Sequence, residues 1–302
     1  MATSRNRIRG RFAPSPTGPL HFGSLVAAVG SFLDARHSGG EWLLRMEDLD
    51  RPRCRDGAAD DILRTLAAYG FEWDGEVIWQ SRRGAVYNDA LERLRDAGRV
   101  FACACSRREM ADSALAPDGA SVYPGTCNLG LPAGKVRRVD RLRVGQARIA
   151  FADEVQGTLV QKLAEEVGDF VLLRADGLFA YQLAVVVDDG EQGITRVVRG
   201  ADLLASTPRQ ILLQQLLDLP LPGYAHLPVA IDAAGEKLSK QTRAAAIDRA
   251  RPMPSLLAAL NFLGQATPAE LAEASLADFW RWAITHWDLA RVPRRHQLPA
   301  PE

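Results

Sequence analysis

The sequence has no excess of charge of either sign, because 37 lysine and arginine residues balance 37 aspartate and glutamate residues. Bulk charge therefore does not attract a polyanion, and a nucleic-acid partner would need a local basic patch. The chain also lacks a run of about 18 apolar residues, the least that a membrane-spanning helix requires. Its longest apolar segment is interrupted by Arg174, Asp176 and Asp188. We expect no membrane span.

Cysteine is scarce, since four cysteines in 302 residues are too few for a disulfide framework in a chain of this length. Free thiols are typical of a reducing compartment. The basic first residues, MATSRNRIRGRF, contain no apolar segment of the kind that a signal peptide needs. These features predict a cytoplasmic protein, and an apolar content of 47% indicates a globular one.

The common glycine-rich phosphate motifs are missing as well: G-x-G-x-x-G does not follow the first predicted strand, and the P-loop pattern occurs nowhere. In that place stands RGRFAPSPTGPLHFGS, residues 9–24, with three prolines before His21 and Gly23. A rigid surface loop is the ordinary interpretation of such a segment. The alternative is a nucleotide cradle, because a helix N-terminus after a strand offers N–H groups to phosphate.

Alternating strand and helix patterns occupy the first 105 residues and indicate a parallel sheet covered by helices. The pattern predicts strands at 8–13, 41–48 and 100–105, a helix over 23–36, and helices that end at Gly70 and Gly98. Further along, the apolar run LFAYQLAVVVDD, residues 178–189, suits a buried parallel strand. STPRQILLQQLLDL, residues 206–219, predicts a helix that begins at Ser206 or Thr207.

Residues 106–175 depart from this alternation, with Gly, Pro and Ser crowded into 113–134 and a half-buried strand predicted over 141–151. Past residue 250 the patterns are helical, and TPAE at 267–270 has the form of a capping box. We therefore predict four units: 1–105 as the first half of a nucleotide-type fold, 106–175 as an insertion, 176–241 as the second half, and 242–302 as a helical region.

A second candidate phosphate site is GEKLSKQ, residues 235–241, where Lys237 and Lys240 flank Ser239. An isolated K-x-x-K pair is usually a solvated surface feature. Two ammonium groups on a loop can also neutralise the charge that builds on a departing pyrophosphate. The combination with the His21 loop favours the second interpretation.

Together these segments resemble a known family. PLHFGS resembles the HIGH signature of class I aminoacyl-tRNA synthetases, and KLSKQ resembles their KMSKS signature. The flanking segments RFAPSPTGPLHFGSL, LLRMEDLDRPR, FAYQLAVVVDD and VVRGADLLASTPRQ are similar to the glutamyl subgroup. The resemblance covers residues 9 to about 260. It implies an α/β fold: a Rossmann-type parallel-sheet catalytic domain with a zinc-binding insertion and a short C-terminal helical region.

Within the subgroup, the chain is similar to enzymes that have the catalytic half without an anticodon-binding half, because the segment after KLSKQ is short. The resemblance implies activation of L-glutamate by ATP with Mg²⁺, and transfer of glutamate to the queuosine base of tRNA(Asp). A truncated synthetase that charges a tRNA 3′ end is an alternative. A non-catalytic RNA-binding paralogue is another, although it would have no use for a complete set of adenylation residues.

The resemblance also implies roles for individual residues. His21 and Lys240 would be catalytic and would bind ATP together with Gly23 and Lys237. Arg11 and Arg199 would grip the carboxylates of glutamate, Glu47 would accept its ammonium group, and Tyr181 would be a further contact. From the residues alone, Glu47 could equally be a helix-capping acid and Tyr181 a core aromatic. The glutamate site would be completed by the loop residues Phe12, Ala13, Pro14 and Ser15.

Three positions depart from the family pattern. Ser24 stands where HIGH has its second histidine, and Gln241 stands where KMSKS ends in serine. Both leave His21 and Lys240 in place. Gln182 follows Tyr181 where relatives commonly have Asn or Asp, which leaves its effect on the choice of amino acid open.

Cys103, Cys105 and Cys127 are clustered in a Gly/Pro-rich region and favour a metal site, because zinc prefers thiolate-rich tetrahedral coordination. Three free thiols in a small core are the alternative, and Cys54 lies outside the cluster. No histidine occurs between residues 100 and 130. The resemblance supplies Tyr123 as the fourth ligand and implies one structural Zn²⁺ per chain.

The sequence leaves two interpretations for the basic stretches 135–148 and 291–296. Arginine-rich strands are often solvated faces, but in an enzyme that acts on tRNA they would contact phosphates and make binding sensitive to salt.

Overall fold

The structure is a computed structural model that describes residues 8–106, 108–110, 113–238 and 245–301. These residues form the α-helices α1 Phe22–His37, α2 Ala58–Ala68, α3 Gly84–Asp96, α4 Leu163–Glu166, α5 Tyr181–Glu191, α6 Thr207–Leu216, α7 Pro252–Phe262 and α8 Leu276–His286. The strands are β1 Arg9–Phe12, β2 Glu41–Met46, β3 Ile78–Trp79, β4 Val100–Cys103, β5 Val139–Leu142, β6 Arg148–Asp153, β7 Gly157–Lys162, β8 Val171–Leu173, β9 Arg196–Gly200, β10 Gly223–Leu227, β11 Val229–Ile231 and β12 Gln297–Pro299.

The central strands are parallel, as the alternating pattern predicted. β2 pairs with β1 on one side and β3 on the other, and β9 pairs with β10, all in parallel. β9 begins beside β1, where Thr195 N donates to Arg9 O at 3.0 Å. A parallel pair requires a crossover connection, and α1 supplies it between β1 and β2. The result confirms a Rossmann-type α/β fold and brings the carboxyl ends of β1, β2 and β9 to one edge of the sheet.

The main hydrophobic core lies between α1, the β1–β2 strands and the C-terminal helices. Phe32, Trp42, Phe71 and Trp280 form its centre, with neighbouring ring centroids 4.8–5.5 Å apart. The Trp280 indole of α8 also donates to Tyr69 O at 2.9 Å. Residues past 250 therefore pack directly on the first strands of the chain. In the described part of the chain, no helix combines the length and apolarity that a membrane crossing demands.

The strand predicted over 178–189 is wrong. Most of this segment belongs to helix α5, Tyr181–Glu191. The side chains from Leu183 to Asp189 are all buried. A helix that is buried on all sides shows no amphipathic period, and its Val185–Val187 run imitates a strand. The distinction has a functional consequence, because α5 delivers Tyr181 from its first turn and Asp189 from its last to the same region.

Other local predictions have mixed outcomes. The helix at 206–219 is confirmed as α6, with Pro208 in its first turn. The strand predicted over 141–151 is wrong, because β5 and β6 are two strands separated by a turn at Gly145 and Gln146. The capping box is also wrong: the Thr267 hydroxyl donates to Asn261 Oδ1 at 2.9 Å, and a 3-10 helix starts at Ala269.

Between the parallel strands the chain adds antiparallel pairs. β4 pairs with β5, and β5 pairs with β8. β6 and β7 form a hairpin that contacts β10 through Asp153 and Tyr224. The boundaries 1–105, 106–175, 176–241 and 242–302 stay predictions.

Candidate active site

A cavity of about 730 Å³ opens at the carboxyl edge of β1, β2 and β9. The structure brings most of the predicted site residues to its wall, although they come from distant parts of the chain. Lys240 lies outside the described residues, as do Ser239 and Gln241. The predicted residues that line the cavity are Arg11, Phe12, Ala13, Pro14, Ser15, His21, Gly23, Glu47, Tyr181, Arg199 and Lys237.

His21 is the N-cap of α1. Its Nδ1 accepts from Ser24 N at 3.3 Å, so a neutral ring carries its proton on Nε2. Ser24, which replaces the second histidine of the family signature, thus fixes the ring through its backbone. A side chain at Gly23 would lie 3.3 Å from two atoms of the His21 ring. The segment therefore presents an imidazole N–H beside the positive end of a helix dipole, which suits an anion.

Lys237 follows β11 and lines the same cavity. Its Nζ donates to Asp202 Oδ2 at 2.5 Å, in a pair that is partly exposed to solvent. Asp202 belongs to the short 3-10 helix that follows β9. The pair adds a cation and an anion to the lining of the cavity.

We call the two ends of the cavity the Arg11 end and the Arg199 end. At the Arg11 end, buried carboxylates accept hydrogen bonds from the guanidinium groups of Arg11 and Arg45. Arg11 donates to Asp189 Oδ1 at 3.1 Å and Oδ2 at 3.4 Å. Arg45, which is fully buried, donates to the same Asp189 Oδ1 at 2.9 Å and to Glu47 Oε1 at 3.4 Å. Asp189 of α5 thereby links β1 to β2. It positions Arg11 and, through Arg45, Glu47.

The charges at this end shift the pKa values of its acids in opposite directions. Burial would raise the pKa of Asp189, but Arg11 and Arg45 outweigh it and hold that pKa below its usual range. Burial raises the pKa of Glu47, and the same two arginines offset it only in part. The ionised form of Asp189 is therefore favoured by its surroundings, and a cation in the cavity would favour the ionised form of Glu47.

At the Arg199 end, neutral groups hold the guanidinium. Nε donates to His226 Nε2 at 3.0 Å, and Nη2 donates to Thr207 Oγ1 at 2.8 Å and Gln210 Oε1 at 2.7 Å. The ring of Tyr224 lies 5.9 Å from Cζ. Nη1 is buried and has no hydrogen-bond partner within the described chain. Burial of an N–H donor without a hydrogen-bond partner costs free energy. We therefore expect a bound ligand to supply an acceptor for this atom.

His226 is fully buried and fixed by Asp153, whose Oδ2 lies 2.6 Å from Nδ1. Burial lowers the pKa of His226 to about 4, and the charge of Arg199 acts in the same direction against the Asp153 contact. The ring is therefore neutral, with its proton on Nδ1 toward Asp153. Its Nε2 is left as an acceptor for Arg199.

Tyr181 begins α5 between these two ends. Burial raises its pKa, and the nearby Arg199 counters this only in part, so the hydroxyl remains a neutral donor. Gln182, the next residue, is not among the residues that line the cavity. It contacts Ser206 and Gln210 instead.

Sequence reasoning missed the residues behind the cavity wall: Arg45, Asp153, Asp189, Thr207, Gln210 and His226. One signal was available, because Asp188 and Asp189 close an apolar run, and buried charges require partners. The partners themselves come from strands and helices far apart in the chain.

Three thiols converge away from the cavity. The Sγ atoms of Cys103, Cys105 and Cys127 lie within 4.8 Å of one another. Cys105 and Cys127 are 3.8 Å apart, and the hydroxyl of Tyr123 lies 3.6 Å from Cys103 Sγ. Burial and the neighbouring thiols raise the pKa of Cys105 to about 11, so without a cation this group is a neutral thiol. The three thiols could hold a metal ion.

The basic stretch at 135–148 divides into two groups. Arg141 stacks on Tyr123 at 4.2 Å and Arg143 on Phe101 at 4.4 Å, so both guanidinium groups pack on aromatic rings of the protein. Lys135 pairs with Glu109 at 3.0 Å. Arg138 and Arg148 are exposed. Exposed members of this stretch remain candidates for contact with phosphate.

The family of tRNA synthetases class I (E and Q), catalytic domain, matches residues 7–251 of the chain. The chain belongs to this family. His21 and Gly23 of one signature segment and Lys237 and Leu238 of the other line the cavity.

Two relatives and one solved structure show which members of the family this chain is similar to. The Glutamyl-Q tRNA(Asp) synthetase of Aromatoleum aromaticum is 63% identical over 97% of this chain and 92% of its own length. That of Dechloromonas aromatica is 63% identical over 97% of this chain and 98% of its own length. A glutamate tRNA ligase from Elizabethkingia meningosepticum, solved with its amino acid, has the same fold: the TM-score is 0.80 at 24% identity, over 98% of this chain and 67% of that one.

Proposed function

We propose that the protein activates L-glutamate with ATP, without tRNA, and transfers the glutamyl group to the queuosine base at the wobble position of tRNA(Asp). The relatives named glutamyl-Q tRNA(Asp) synthetase, matched over nearly their whole length, support this choice of acceptor. The single observation that carries the activation step is the shared cavity. It has cationic groups at both ends, an acid at Glu47, and an imidazole at a helix N-terminus.

Glutamate fits this arrangement of charges. Its ammonium group binds at Glu47, whose pKa the cation would lower. Its side-chain carboxylate accepts a hydrogen bond from Nη1 of Arg199, which has no partner in the described chain. The Tyr181 hydroxyl lies between the two ends of the cavity. The α-carboxylate is the reacting group. A rigid bidentate arginine pair would reduce its nucleophilicity, so we assign the fixed guanidinium of Arg199 to the carboxylate that does not react.

The chemistry requires no nucleophile from the protein. An oxygen of the α-carboxylate attacks the α-phosphorus of ATP, a new O–P bond forms, and the bond to pyrophosphate breaks. His21 donates from Nε2 to a phosphate oxygen, and Lys237 and Lys240 neutralise charge on the leaving pyrophosphate. Mg²⁺, when bound with ATP, supplies further charge neutralisation. An oxygen of the modified base then displaces AMP from the carbonyl. A reaction on ATP and tRNA belongs in the cytoplasm.

The test is glutamate-dependent exchange of pyrophosphate into ATP in the absence of tRNA, followed by glutamylation of tRNA(Asp) with and without queuosine. We expect exchange without tRNA, and glutamylation only of the queuosine-containing tRNA. Charging of a tRNA 3′ end would favour a truncated glutamyl-tRNA synthetase instead. Binding of RNA with no exchange would indicate a non-catalytic paralogue.

We also propose that the cysteine cluster holds one structural Zn²⁺. Tetrahedral zinc–thiolate bonds of about 2.3 Å place sulfur atoms about 3.8 Å apart, and Cys105 and Cys127 already have this spacing. We assign Tyr123 as the fourth ligand, and the 3.6 Å distance from its hydroxyl to Cys103 Sγ supports this assignment. The ion would fix the loop between Cys105 and Cys127 and take no part in the reaction.

Metal analysis of the purified protein tests this site. We expect one zinc per chain, lost in Cys103→Ser and retained in Cys54→Ser, because Cys54 lies outside the cluster. Tyr123→Phe keeps the three thiols and is expected to bind zinc more weakly. Absence of zinc from the unaltered protein after purification without chelators would contradict the assignment.

A further inference from the structure

The hydrogen bonds behind Arg199 have only one consistent direction. A guanidinium donates and never accepts, so Gln210 must present its carbonyl oxygen to Nη2, at 2.7 Å. Its amide nitrogen must then find an acceptor of its own. That acceptor is Gln182 Oε1, at 2.9 Å. Gln182 in turn donates through Nε2 to Ser206 Oγ, at 3.1 Å.

These three residues, Gln210, Gln182 and Ser206, form what we call the amide chain. Gln210 is 2% exposed and Ser206 is 6% exposed, and none of the three lines the cavity. The hydrogen bond from Arg199 to Gln210 connects the amide chain to a residue that lines the cavity. The hydrogen bond from Arg199 fixes the orientation of the Gln210 amide, and Gln210 in turn fixes that of Gln182. The amide chain is therefore ordered without an ionised group among its members.

The two arginines of the cavity, Arg199 and Arg11, differ in the charge of their hydrogen-bond partners. The side chains that accept from Arg199 are an amide, a hydroxyl and a neutral imidazole. Arg11, at the other end of the cavity, is paired with the Asp189 carboxylate. A carboxylate at position 210 would orient Arg199 equally well by geometry. It would also neutralise the charge that a substrate carboxylate needs.

We propose that Gln210, oriented by Gln182, is a positioning residue that sets the preference for an acidic over an amide side chain in the substrate. The inference rests on the proposed function, because it requires Arg199 to bind the side-chain carboxylate of glutamate. Neutrality at position 210 leaves the positive charge available to that carboxylate. Glutamine, which is neutral, gains little from it.

The test is Gln210→Glu, which keeps the size of the side chain and adds one charge. Affinities for glutamate and glutamine are measured by calorimetry, and glutamate-dependent pyrophosphate exchange gives KM and kcat separately. We expect the glutamate-to-glutamine affinity ratio to fall by about 30-fold or more, with KM for glutamate raised and kcat changed by less than about threefold. Gln182→Glu, one amide further from Arg199, should reduce the ratio by a smaller factor.

Gln214→Glu is the matched control. It adds the same charge to the buried face of α6 one turn on, where Gln214 accepts from the Tyr224 hydroxyl. We expect the affinity ratio to stay within about threefold of the unaltered value. An equal loss of selectivity in Gln214→Glu, or an unchanged ratio in a folded Gln210→Glu, would overturn the inference. Failure of the unaltered protein to bind or activate glutamate would instead refute the proposed function.

Discussion

Arg11 and Arg199 face the same cavity, yet Arg11 donates to the carboxylate of Asp189 whereas Arg199 donates to an amide, a hydroxyl and a neutral imidazole. Both are nearly fully buried, so the difference is one of charge and not of exposure. At the first end three arginines, Arg11, Arg45 and Arg83, face the acids Asp188, Asp189 and Glu47. At the second end Arg199 has no carboxylate within hydrogen-bond distance in the described chain.

The comparison separates two tasks. A buried pair such as Arg11–Asp189 costs desolvation and gives little net stability, but removal of one partner leaves a buried charge uncompensated. The Arg11 end should therefore dominate folding. The Arg199 end holds its cation with neutral groups and should dominate recognition of an anion. Variants at the two ends should show this division as different losses of stability and activity.

The largest expected effect is on stability at the Arg11 end. Asp189→Asn leaves two buried guanidinium groups, Arg11 and Arg45, without their shared anion. We expect the free energy of unfolding to fall by about 3–5 kcal/mol, measured by denaturant unfolding. Asp176→Asn, which removes a half-exposed surface acid, should cost less than about 0.5 kcal/mol. Equal losses in the two variants would remove the distinction between the ends.

The next effect is on activity at the Arg199 end. Arg199→Lys keeps the charge but loses the planar fork that serves His226, Thr207 and Gln210 together. We expect kcat/KM for glutamate in pyrophosphate exchange to fall by about 100-fold, with a smaller loss of stability than in Asp189→Asn.

Arg196→Lys on the same strand is the control for that experiment. Arg196 contacts Asp34 and Glu154 and does not line the cavity. Its variant should keep kcat/KM within about threefold of the unaltered value. A comparable loss in both variants would mean that disruption of β9, and not recognition by Arg199, lowers activity.

The sequence was sufficient to predict the parallel fold and the residues that face the cavity, but for different reasons. Alternating periodicity identified β1, α1 and β2. The resemblance to a family supplied Arg11, Glu47, Tyr181 and Arg199, since nothing local distinguishes Glu47 from a capping acid. The α5 helix was mistaken for a strand because burial on all sides removes the helical period.

The partners behind the cavity could not be predicted from sequence. Gln210 and Gln182 meet across two helices, and His226 meets Asp153 across two strands. Local propensity carries no record of such contacts. The cysteine cluster was different, because three cysteines within one segment are visible in the sequence itself.

A smaller effect concerns pH. His226 is neutral in the folded protein because its pKa is lowered to about 4, whereas in the unfolded chain it has an ordinary value of about 6.5. Below the unfolded value the unfolded chain binds the proton more readily, so stability is lost as pH falls. We expect a loss of about 1.6 kcal/mol between pH 6.5 and 5 from this group.

His226→Gln isolates that contribution, because an amide at this position has no proton to gain. Denaturant unfolding at each pH should give a shallower decline for the variant than for the unaltered protein. Parallel declines would show that other groups cause the pH dependence. Asp189 cannot be one of them over this interval, since its pKa is already held below the usual range of an aspartate.

The smallest effect tests whether neutral partners of Arg199 are individually dispensable. Thr207→Val is nearly isosteric and removes one acceptor of Nη2, while Gln210 Oε1 still accepts from the same atom. We expect a loss of about 1 kcal/mol in the free energy of unfolding and a rise of a few-fold in KM for glutamate. Thr207→Ser retains the hydroxyl and should restore KM. A loss as large as that of Asp189→Asn would show that the uncharged end is also essential for folding, because one neutral hydrogen bond cannot by itself account for so large a change.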